Sequence, residues 1–238
     1  MGDSMRLGVI GAGRVGASFV SAFSKETVGI MCASEHHTAE RARVFGVKPF
    51  FSLSSMVEDV DTILIAVQDD NIIPLCKALE RSVAVHPLKK EWCLFHVSGA
   101  MDLTPFEALS NRGIHCGSIH PLQSFSEPSG EALRQIYMAI DGDDVARERA
   151  LQIVRALDSK PLFVPAKDRM LYHSAACFCS NYVVTAIAIA QKLFSRWTGN
   201  PKEAGQAIMP LIEGTMENIA SHDTVQTALT GPISRGDV

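Results

Sequence analysis

Three glycines near the amino terminus have the spacing of a phosphate-binding turn. Gly11, Gly13 and Gly16 form G-x-G-x-x-G after an apolar run and before a helix-compatible stretch at 17–23. In such a turn the first glycine makes the tight bend, the second lets the backbone approach a pyrophosphate, and the third lets the helix pack on the strand. The helix amino terminus adds free N–H groups and a partial positive charge. We therefore expect a dinucleotide to contact Gly11, Ala12, Gly13, Arg14, Val15 and Gly16.

The residues after the second predicted strand indicate which dinucleotide binds. An acidic residue at this strand end normally bonds the adenosine ribose and selects NAD, but here Ser34 follows Cys32 and Ala33. A small hydroxyl leaves room for a 2′-phosphate, so NADP is the expected cofactor. Glu35 favours the alternative, NAD, because its carboxylate can bond the ribose. Four side chains could neutralise a 2′-phosphate: His36, His37, Arg41 and Arg43. The alternative is that they only form a solvated helix face.

Two further strand ends are expected beside the nicotinamide half of the cofactor. Val67 ends the apolar run DTILIAV, and Ser98 and Gly99 follow the run WCLFHV. Ligands of a doubly wound sheet lie beyond the carboxyl ends of its strands, and the nicotinamide amide and ribose need donors and acceptors. Asp69 and Asp70, which follow Val67, more simply cap the next helix.

Two histidines and an asparagine are the candidates for catalysis. His120 lies where a predicted strand stops and an irregular loop begins. It is either a general acid that protonates a developing alkoxide or amine, or a histidine bonded to a backbone carbonyl. His173 lies in a polar stripe on a long apolar helix, and Asn181 borders that stripe. Such a stripe lines a wet cleft or forms an internal hydrogen-bond network, because unpaired buried polar groups are costly. The stripe contains Arg169, His173, Cys177 and Ser180.

Alternating apolar and helical segments predict an α/β fold. The first half indicates a doubly wound, mostly parallel Rossmann sheet over 5–165, followed by an all-α domain over 166–238. In the second domain one helix is expected over 168–198 and another over 202–220. The first of these is apolar on more than one face, so it must be buried in its own domain or against another subunit. We therefore expect a homodimer through the helical domain.

Composition restricts the classes of function. The 238 residues are 47% hydrophobic and 20% charged, and the formal net charge is −4. Nothing in this balance indicates a nucleic-acid partner, and the scattered basic residues do not indicate a membrane surface. No secretory leader is recognisable, so the cytoplasm is the expected location. The six cysteines have neither zinc-ligand nor disulfide spacing, so we expect reduced thiols and no metal site.

Five stretches resemble one family when they are taken together. They are IGAGRVG, SGAMDLTPFEAL, GSIHPLQSF, DRMLYHSAACFCSNYVV and ALTGPISRGD. The sequence resembles Rossmann-like oxidoreductase-type proteins whose C-terminal half is a domain of unknown function, grouped near pyrroline-5-carboxylate reductases and deazaflavin-dependent NADP reductases. This resemblance implies an NAD(P)-binding domain, a helical domain and a dimer. By position it implies cofactor contacts at Gly11, Gly13, Gly16, Ser98 and Gly99, and polar site positions at His120, Gln123, His173 and Asn181.

The sequence departs from the family pattern at two places. The family often has arginine where Glu35 stands, and similar proteins usually continue with further helix beyond the position of Val238. Met5 is a candidate start, with 1–4 as an extension. We expect an NADP-dependent oxidoreductase that moves a hydride to or from a small carbonyl or imine substrate, with His120 or His173 handling the proton. The alternative is a non-catalytic NADP-binding sensor or interaction module, because Rossmann domains host both.

Overall fold

Short apolar segments of the chain pair into one eight-stranded sheet. The computed structural model describes residues 5–85 and 92–230, and within them the strand order is β3-β2-β1-β4-β5-β6-β7-β8. The predicted doubly wound α/β fold is confirmed. The strands are β1 Leu7–Ile10, β2 Thr27–Met31, β3 Lys48–Pro49, β4 Thr62–Ile65, β5 Cys93–His96, β6 His115–Pro121, β7 Tyr137–Gly142 and β8 Lys160–Phe163.

Every described strand pair is parallel except β6 with β7. The segment between these two strands contains only a 3₁₀ turn, Glu131–Leu133, and no α-helix. A parallel connection needs a crossover that returns the chain to the same end of the sheet, usually through a helix. Without that helix the chain turns back directly, which explains the antiparallel pair.

The two faces of the sheet carry separate apolar cores. Leu64 and Phe95 belong to one core, whereas Ile63 and Leu94 belong to the other. This division follows from the alternation of side chains along each strand. The helices of the sheet region are α1 Arg14–Ala22, α2 Glu35–Phe45, α3 Leu53–Asp59, α4 Asp69–Val85, α5 Glu107–Ser110 and α6 Asp144–Ala156.

Three further α-helices follow in the described residues: α7 Arg169–Cys179, α8 Asn181–Phe194 and α9 Pro201–Ala220. The single helix predicted over 168–198 is wrong, because Ser180 has φ −125° and ψ −76° and interrupts the helical backbone. Serine and asparagine in succession favour a helix end over a helix interior, because their side chains compete for backbone hydrogen bonds. The stripe predicted from Arg169 to Ser180 therefore does not continue along one helix.

The chain divides into two compact units, Met1–Ala176 and Cys177–Val238. The first part of α7 thus packs with the sheet, and the boundary near Pro165 between domains 5–165 and 166–238 stays a prediction. Within the second unit α8 packs against α9. The residues beyond position 230, which include most of the ALTGPISRGD stretch, lie outside the described residues, as do 1–4.

One helical stretch is long and apolar enough to cross a membrane by length and composition alone. It is Ala166–Phe194, with a mean hydropathy of 1.3 over its most apolar 18-residue window. None of that window is buried in the part of the chain that the structure describes. None of the six cysteines forms a disulfide in the described chain.

Candidate functional site

The glycine turn joins β1 to α1 with an open side at its second glycine. Gly11 has φ +94°, and a side chain there would press on the carbonyl oxygen of Ala66. A Cβ on Gly16 would overlap the carbonyl oxygen of Gly11, so only glycine lets α1 approach the strand. At Gly13, by contrast, no described atom lies within 4 Å of the position that a Cβ would occupy. The turn is therefore closed towards the protein and open where a diphosphate would approach.

The amino terminus of α1 is free to bind an anion. Its N-cap residue is Gly13, no side chain caps it, and its first turn has no acidic residue. The first N–H groups of a helix have no partner within the helix and carry the positive end of its dipole. Arg14, the first residue of α1, is exposed there. These features fit a dinucleotide diphosphate.

A cavity of about 730 Å³ lies beside this turn. Its volume is in the range of small-molecule sites. Of the predicted cofactor contacts, Gly11, Ala12, Gly13 and Val67 line it, whereas Arg14, Val15 and Gly16 are in α1 beside it. The other lining residues are Ile10, Met31, Cys32, Ala33, His37, Glu40, Arg41, Ala66, Gln68, Asn71 and Leu75.

The far wall of the cavity carries the groups expected for a 2′-phosphate. His37 and Arg41 line it from α2, together with Glu40, which the sequence reasoning missed. Ser34 does not line the cavity; its hydroxyl caps α2 by accepting the N–H of His37 at 3.2 Å. Glu35 is also outside the lining, so it does not compete for the ribose from that wall.

One exposed cluster on α2 lies at this wall. Ligand atoms of His36, His37 and Glu40 are within 4.8 Å of one another, and all three side chains are exposed. Arg43 lies in the last turn of the same helix and does not line the cavity. This wall therefore places the Arg41 guanidinium and the His37 ring beside the Glu40 carboxylate.

The second part of the site is a histidine cluster, which we define as His120, Tyr172 and His173 above Gly99. Nδ1 of His120 is 2.8 Å from the Tyr172 hydroxyl. The rings of His120 and His173 have centroids 6.1 Å apart. A Cβ on Gly99 would lie 2.8 Å from Nε2 of His120 and 2.7 Å from Nδ1 of His173, so only glycine lets the two rings pack this closely on the backbone.

Sheet geometry explains why these groups meet. His96 in β5 is in register with Ser118 in β6, and Ser118 and His120 share one face of β6 because they are two residues apart. Arg169, Tyr172 and His173 share one face of α7, since their spacing is i, i+3, i+4. That helix face packs over the strand face.

Arg169 is the largest fully buried side chain, with 1% of its surface exposed. Its guanidinium donates to the Ser118 hydroxyl, but Nε and Nη1 are buried without a hydrogen-bond partner in the described chain. Nδ1 of His173 is unpartnered in the same way. A positive charge therefore lies beside the histidine cluster with part of its hydrogen-bonding capacity unused.

Burial controls the protonation of His120 and Tyr172. Loss of solvation, together with the neighbouring His173 and Arg169, lowers the pKa of His120 to about 4. Burial raises the pKa of the Tyr172 hydroxyl to about 12, although the Arg169 charge opposes that rise. His120 is therefore neutral at pH 7.

Ser98 connects the ends of two strands. Its hydroxyl donates to Oδ2 of Asp69 at 2.8 Å and accepts the N–H of Met101 at 3.1 Å. Its own N–H donates to Nδ1 of His96 at 3.2 Å. Asp69 thus begins α4 and also holds Ser98. Because its neighbour Gln68 lines the cavity, the cavity wall is next to Ser98 and Gly99.

The remaining predicted residues have separate positions. Asn181 is an exposed residue at the start of α8 in the second unit, and its catalytic role stays a prediction. Gln123 accepts the N–H of Ser124 in the loop after β6. Tyr172 and Ser118 were missed by sequence reasoning. The signal for Tyr172 was available, because it shares the helix face of Arg169 and His173.

Fold and site together define a dinucleotide-dependent class, and the comparisons agree. Residues 6–88 match the family described as NADP oxidoreductase, coenzyme F420-dependent, and residues 136–238 match a domain of unknown function, DUF2520. The first part of the chain is thus similar to NADP oxidoreductase domains, and its last part is similar to DUF2520 domains. The family resemblance and the NADP cofactor expected from the sequence are confirmed. No curated protein matches the sequence.

Solved structures share this fold over nearly the whole chain. A Bacteroides fragilis protein, provisionally assigned as an NADP oxidoreductase, is 21% identical, with a TM-score of 0.76 over 98% of this chain and 87% of its own. A Thermotoga maritima protein is 25% identical, with a TM-score of 0.75 over 97% and 86%. The 1-pyrroline-5-carboxylate reductase of Streptococcus pyogenes is 14% identical, with a TM-score of 0.68 over 98% and 84%. This likeness concerns the fold.

Proposed function

We propose that this NADP-dependent oxidoreductase moves a hydride to or from the carbon of a small carbonyl or imine compound. The observation that carries the proposal is the histidine cluster at the carboxyl ends of β5 and β6, in the same unit as the glycine turn. Bound NADPH supplies the hydride. The chain's part is to hold the cofactor, orient the substrate and manage a proton.

The residues divide this work along the sheet. The α1 amino terminus and the backbone at Gly11 and Gly13 bind the diphosphate, and His37 and Arg41 bind the 2′-phosphate. Ser98 and Gly99 border the nicotinamide half, where the Ser98–Asp69 hydrogen bond holds two strand ends together. Nε2 of His120 and Nδ1 of His173 both pack beside Gly99, and the reacting oxygen or nitrogen would bind within reach of the His120 ring.

Gly13→Ala tests the cofactor site with little effect on the fold. Gly13 has φ −72°, which alanine adopts, and the added methyl group meets only open space in the described chain. We expect affinity for NADPH, measured by fluorescence titration, to fall by more than about tenfold, because the methyl group displaces the diphosphate from the backbone. Gly214→Ala is the matched control, since Gly214 has equally open space on α9. Equal NADPH affinity in both variants would refute the diphosphate site.

Turnover separates an enzyme from a sensor. We expect NADPH oxidation with members of a carbonyl and imine panel, and a loss of roughly 100-fold or more in His120→Ala. Tight NADPH binding without turnover across the panel would favour the alternative of a binding or signalling module.

We also propose a homodimer through the helical unit. Tyr182, Ile189 and Leu193 lie on one side of α8 and are each more than half exposed, and Lys192 is the only charged residue of that helix. An apolar face of this kind is expected to be buried in an interface, and alanines between the large residues allow a second helix to approach closely. We propose that the partner in this interface is a second copy of this chain. Sedimentation that gives a monomer at micromolar concentration would refute it, and vesicle binding would favour a membrane instead. The cytoplasmic location stays a prediction.

A further inference from the structure

The histidine cluster contains a phenol that the proposed function leaves without a role. Tyr172 reaches Nδ1 of His120 at 2.8 Å, and the two rings meet edge to face with centroids 5.6 Å apart. The other ring nitrogen of His120, Nε2, packs beside Gly99 on the opposite side of the ring from the phenol. The phenol therefore leaves Nε2 as the ring atom that can meet a substrate.

We propose that Tyr172 and His120 form a proton relay to the oxygen of a neutral carbonyl substrate, and that Arg169 is the charge that supports it. The inference rests on the proposed function and adds to it a substrate class and a positioning residue. Tyr172 acts through His120 and does not itself meet the substrate.

The direction of the hydrogen bond follows from acidity. A phenol is a far stronger acid than the N–H of a neutral imidazole, so the Tyr172 hydroxyl donates and Nδ1 accepts. The ring proton of His120 is then on Nε2 and is available to a substrate. Nδ1 of His173, which is buried without a partner in the described residues, also packs beside Gly99.

The step balances as one hydride and one proton. The carbonyl carbon takes the hydride of NADPH, which leaves NADP⁺, and the C=O bond becomes a C–O single bond. The oxygen takes the Nε2 proton of His120 while Nδ1 takes the hydroxyl proton of Tyr172. Tyr172 is left as a phenolate, which recovers its proton from water.

The environment favours this route over a charged histidine. With its pKa near 4, His120 is an imidazolium in only about one molecule in a thousand at pH 7. A phenolate, however, forms within the field of Arg169, whose charge lowers the pKa of Tyr172 against the effect of burial. This gives the buried guanidinium, with two nitrogens unpartnered in the described chain, a transient anion to stabilise.

The same argument selects the substrate class. Hydride addition to a ketone or aldehyde leaves an alkoxide that needs a proton, so the relay has a purpose there. Hydride addition to an iminium ion yields a neutral amine directly and needs no proton from the protein. A relay supported by a buried cation is therefore suited to a neutral carbonyl compound.

Tyr172→Phe removes one oxygen and is compared with Tyr137→Phe, a half-exposed tyrosine of β7. We expect Tyr172→Phe to lower kcat for carbonyl reduction by roughly 100-fold, with NADPH affinity unchanged, and to leave reduction of preformed iminium ions within about threefold of wild type. Equal losses for both substrate classes would overturn the relay while leaving the oxidoreductase function intact.

Nitrogen NMR of the His120 ring gives a second readout that needs no substrate. We expect the wild-type holoenzyme to carry its ring proton on Nε2, with Nδ1 as an acceptor, and Tyr172→Phe to shift the Nδ1 resonance while Tyr137→Phe does not. A proton on Nδ1 in wild type would overturn the relay. If neither substrate class turns over, the proposed function fails, and this spectrum still decides whether the pair is oriented as we infer.

Discussion

The two units of the chain bury their apolar residues very differently. In the sheet unit Phe95, Ile63 and Leu64 are at most 1% exposed. In the described part of the helical unit the buried hydrophobic residues are Ala204, Ile208 and Ala228, whereas Trp197 is 75% exposed. Burial of apolar surface is the main favourable contribution to folding. The sheet unit is therefore stabilised by its own core, while the exposed apolar residues of the helical unit support our proposal that a second copy of the chain covers them.

The candidate functional groups are also divided unequally between the two units. The glycine turn, the 730 Å³ cavity and the histidine cluster all belong to the unit that is closely packed. Catalytic groups must be held to within a fraction of an ångström, which packing on strands and helices provides. This comparison supports our proposals that the sheet unit carries cofactor and proton chemistry and that the helical unit carries assembly.

The largest effect should come from emptying the core of the sheet unit. We expect Phe95→Ala to lower the free energy of unfolding by about 3–5 kcal/mol, because Phe95 is fully buried and its removal leaves a cavity. Ile189→Ala on α8 should cost under about 0.5 kcal/mol at a dilution where the chain is monomeric. Chemical denaturation of both variants measures the contrast, and similar costs would break the comparison.

Acid should destabilise the sheet unit next most strongly. Burial lowers the pKa of His96 and of His120 from 6.5 to about 4. The unfolded chain therefore binds more protons than the folded chain between these values, so this contribution to stability is complete above pH 6.5 and is lost as the pH falls towards 4. We expect on the order of 3 kcal/mol per histidine over that window.

The control for the acid effect is His120→Gln, which cannot take up that proton. Its unfolding free energy, measured by denaturant titration from pH 7 to pH 4.5, should fall less steeply than that of wild type. A wild-type unfolding free energy that stays constant from pH 7 to pH 4.5 would contradict the buried, neutral histidines.

A charge on the exposed face of α8 should act on assembly instead of folding. We expect Ile189→Glu to weaken self-association by roughly 100-fold, about 2.8 kcal/mol, because a carboxylate would be buried without a partner in the dimer. Val44→Glu adds the same charge to an exposed valine of α2 and is the control. Sedimentation velocity over a dilution series compares them, and equal behaviour would exclude this face as the interface.

Much of the sheet unit could be predicted from the sequence because its signals are local. The run DTILIAV gives a strand buried on both faces, and Gly11, Gly13 and Gly16 give the turn. Helix α3, Leu53–Asp59, was missed because seven residues are too few for a clear period. Even the steric role of Gly16, which lets the helix pack closely on the strand, could be predicted from the glycine spacing alone.

The histidine cluster was only half predictable, because it depends on long-range register. His120 and His173 were found as isolated candidates, and the sequence could not place them above Gly99, which needs β5 beside β6 with α7 across them. The role of Tyr172 is also a matter of distance, since its 2.8 Å contact spans 52 positions of the chain. The helix break at Ser180 was not predicted because the apolar periodicity of the sequence continues through it.

The smallest effect tests whether the helical unit has any stability of its own. Asn200 caps α9 by accepting the N–H of Glu203 at 3.0 Å, and Asp143 caps α6 by accepting the N–H of Ala146 at 3.0 Å. Asn200→Ala should cost about 1 kcal/mol, the usual value of a lost cap. In a dimer that cost should appear as a concentration-dependent decrease in thermal stability, because folding of α9 is coupled to association. Asp143→Ala should cost somewhat more and should not depend on concentration, since α6 packs on the sheet core. A concentration-independent loss in Asn200→Ala would mean that the helical unit folds on its own, and the contrast between the two units would then be one of exposure alone.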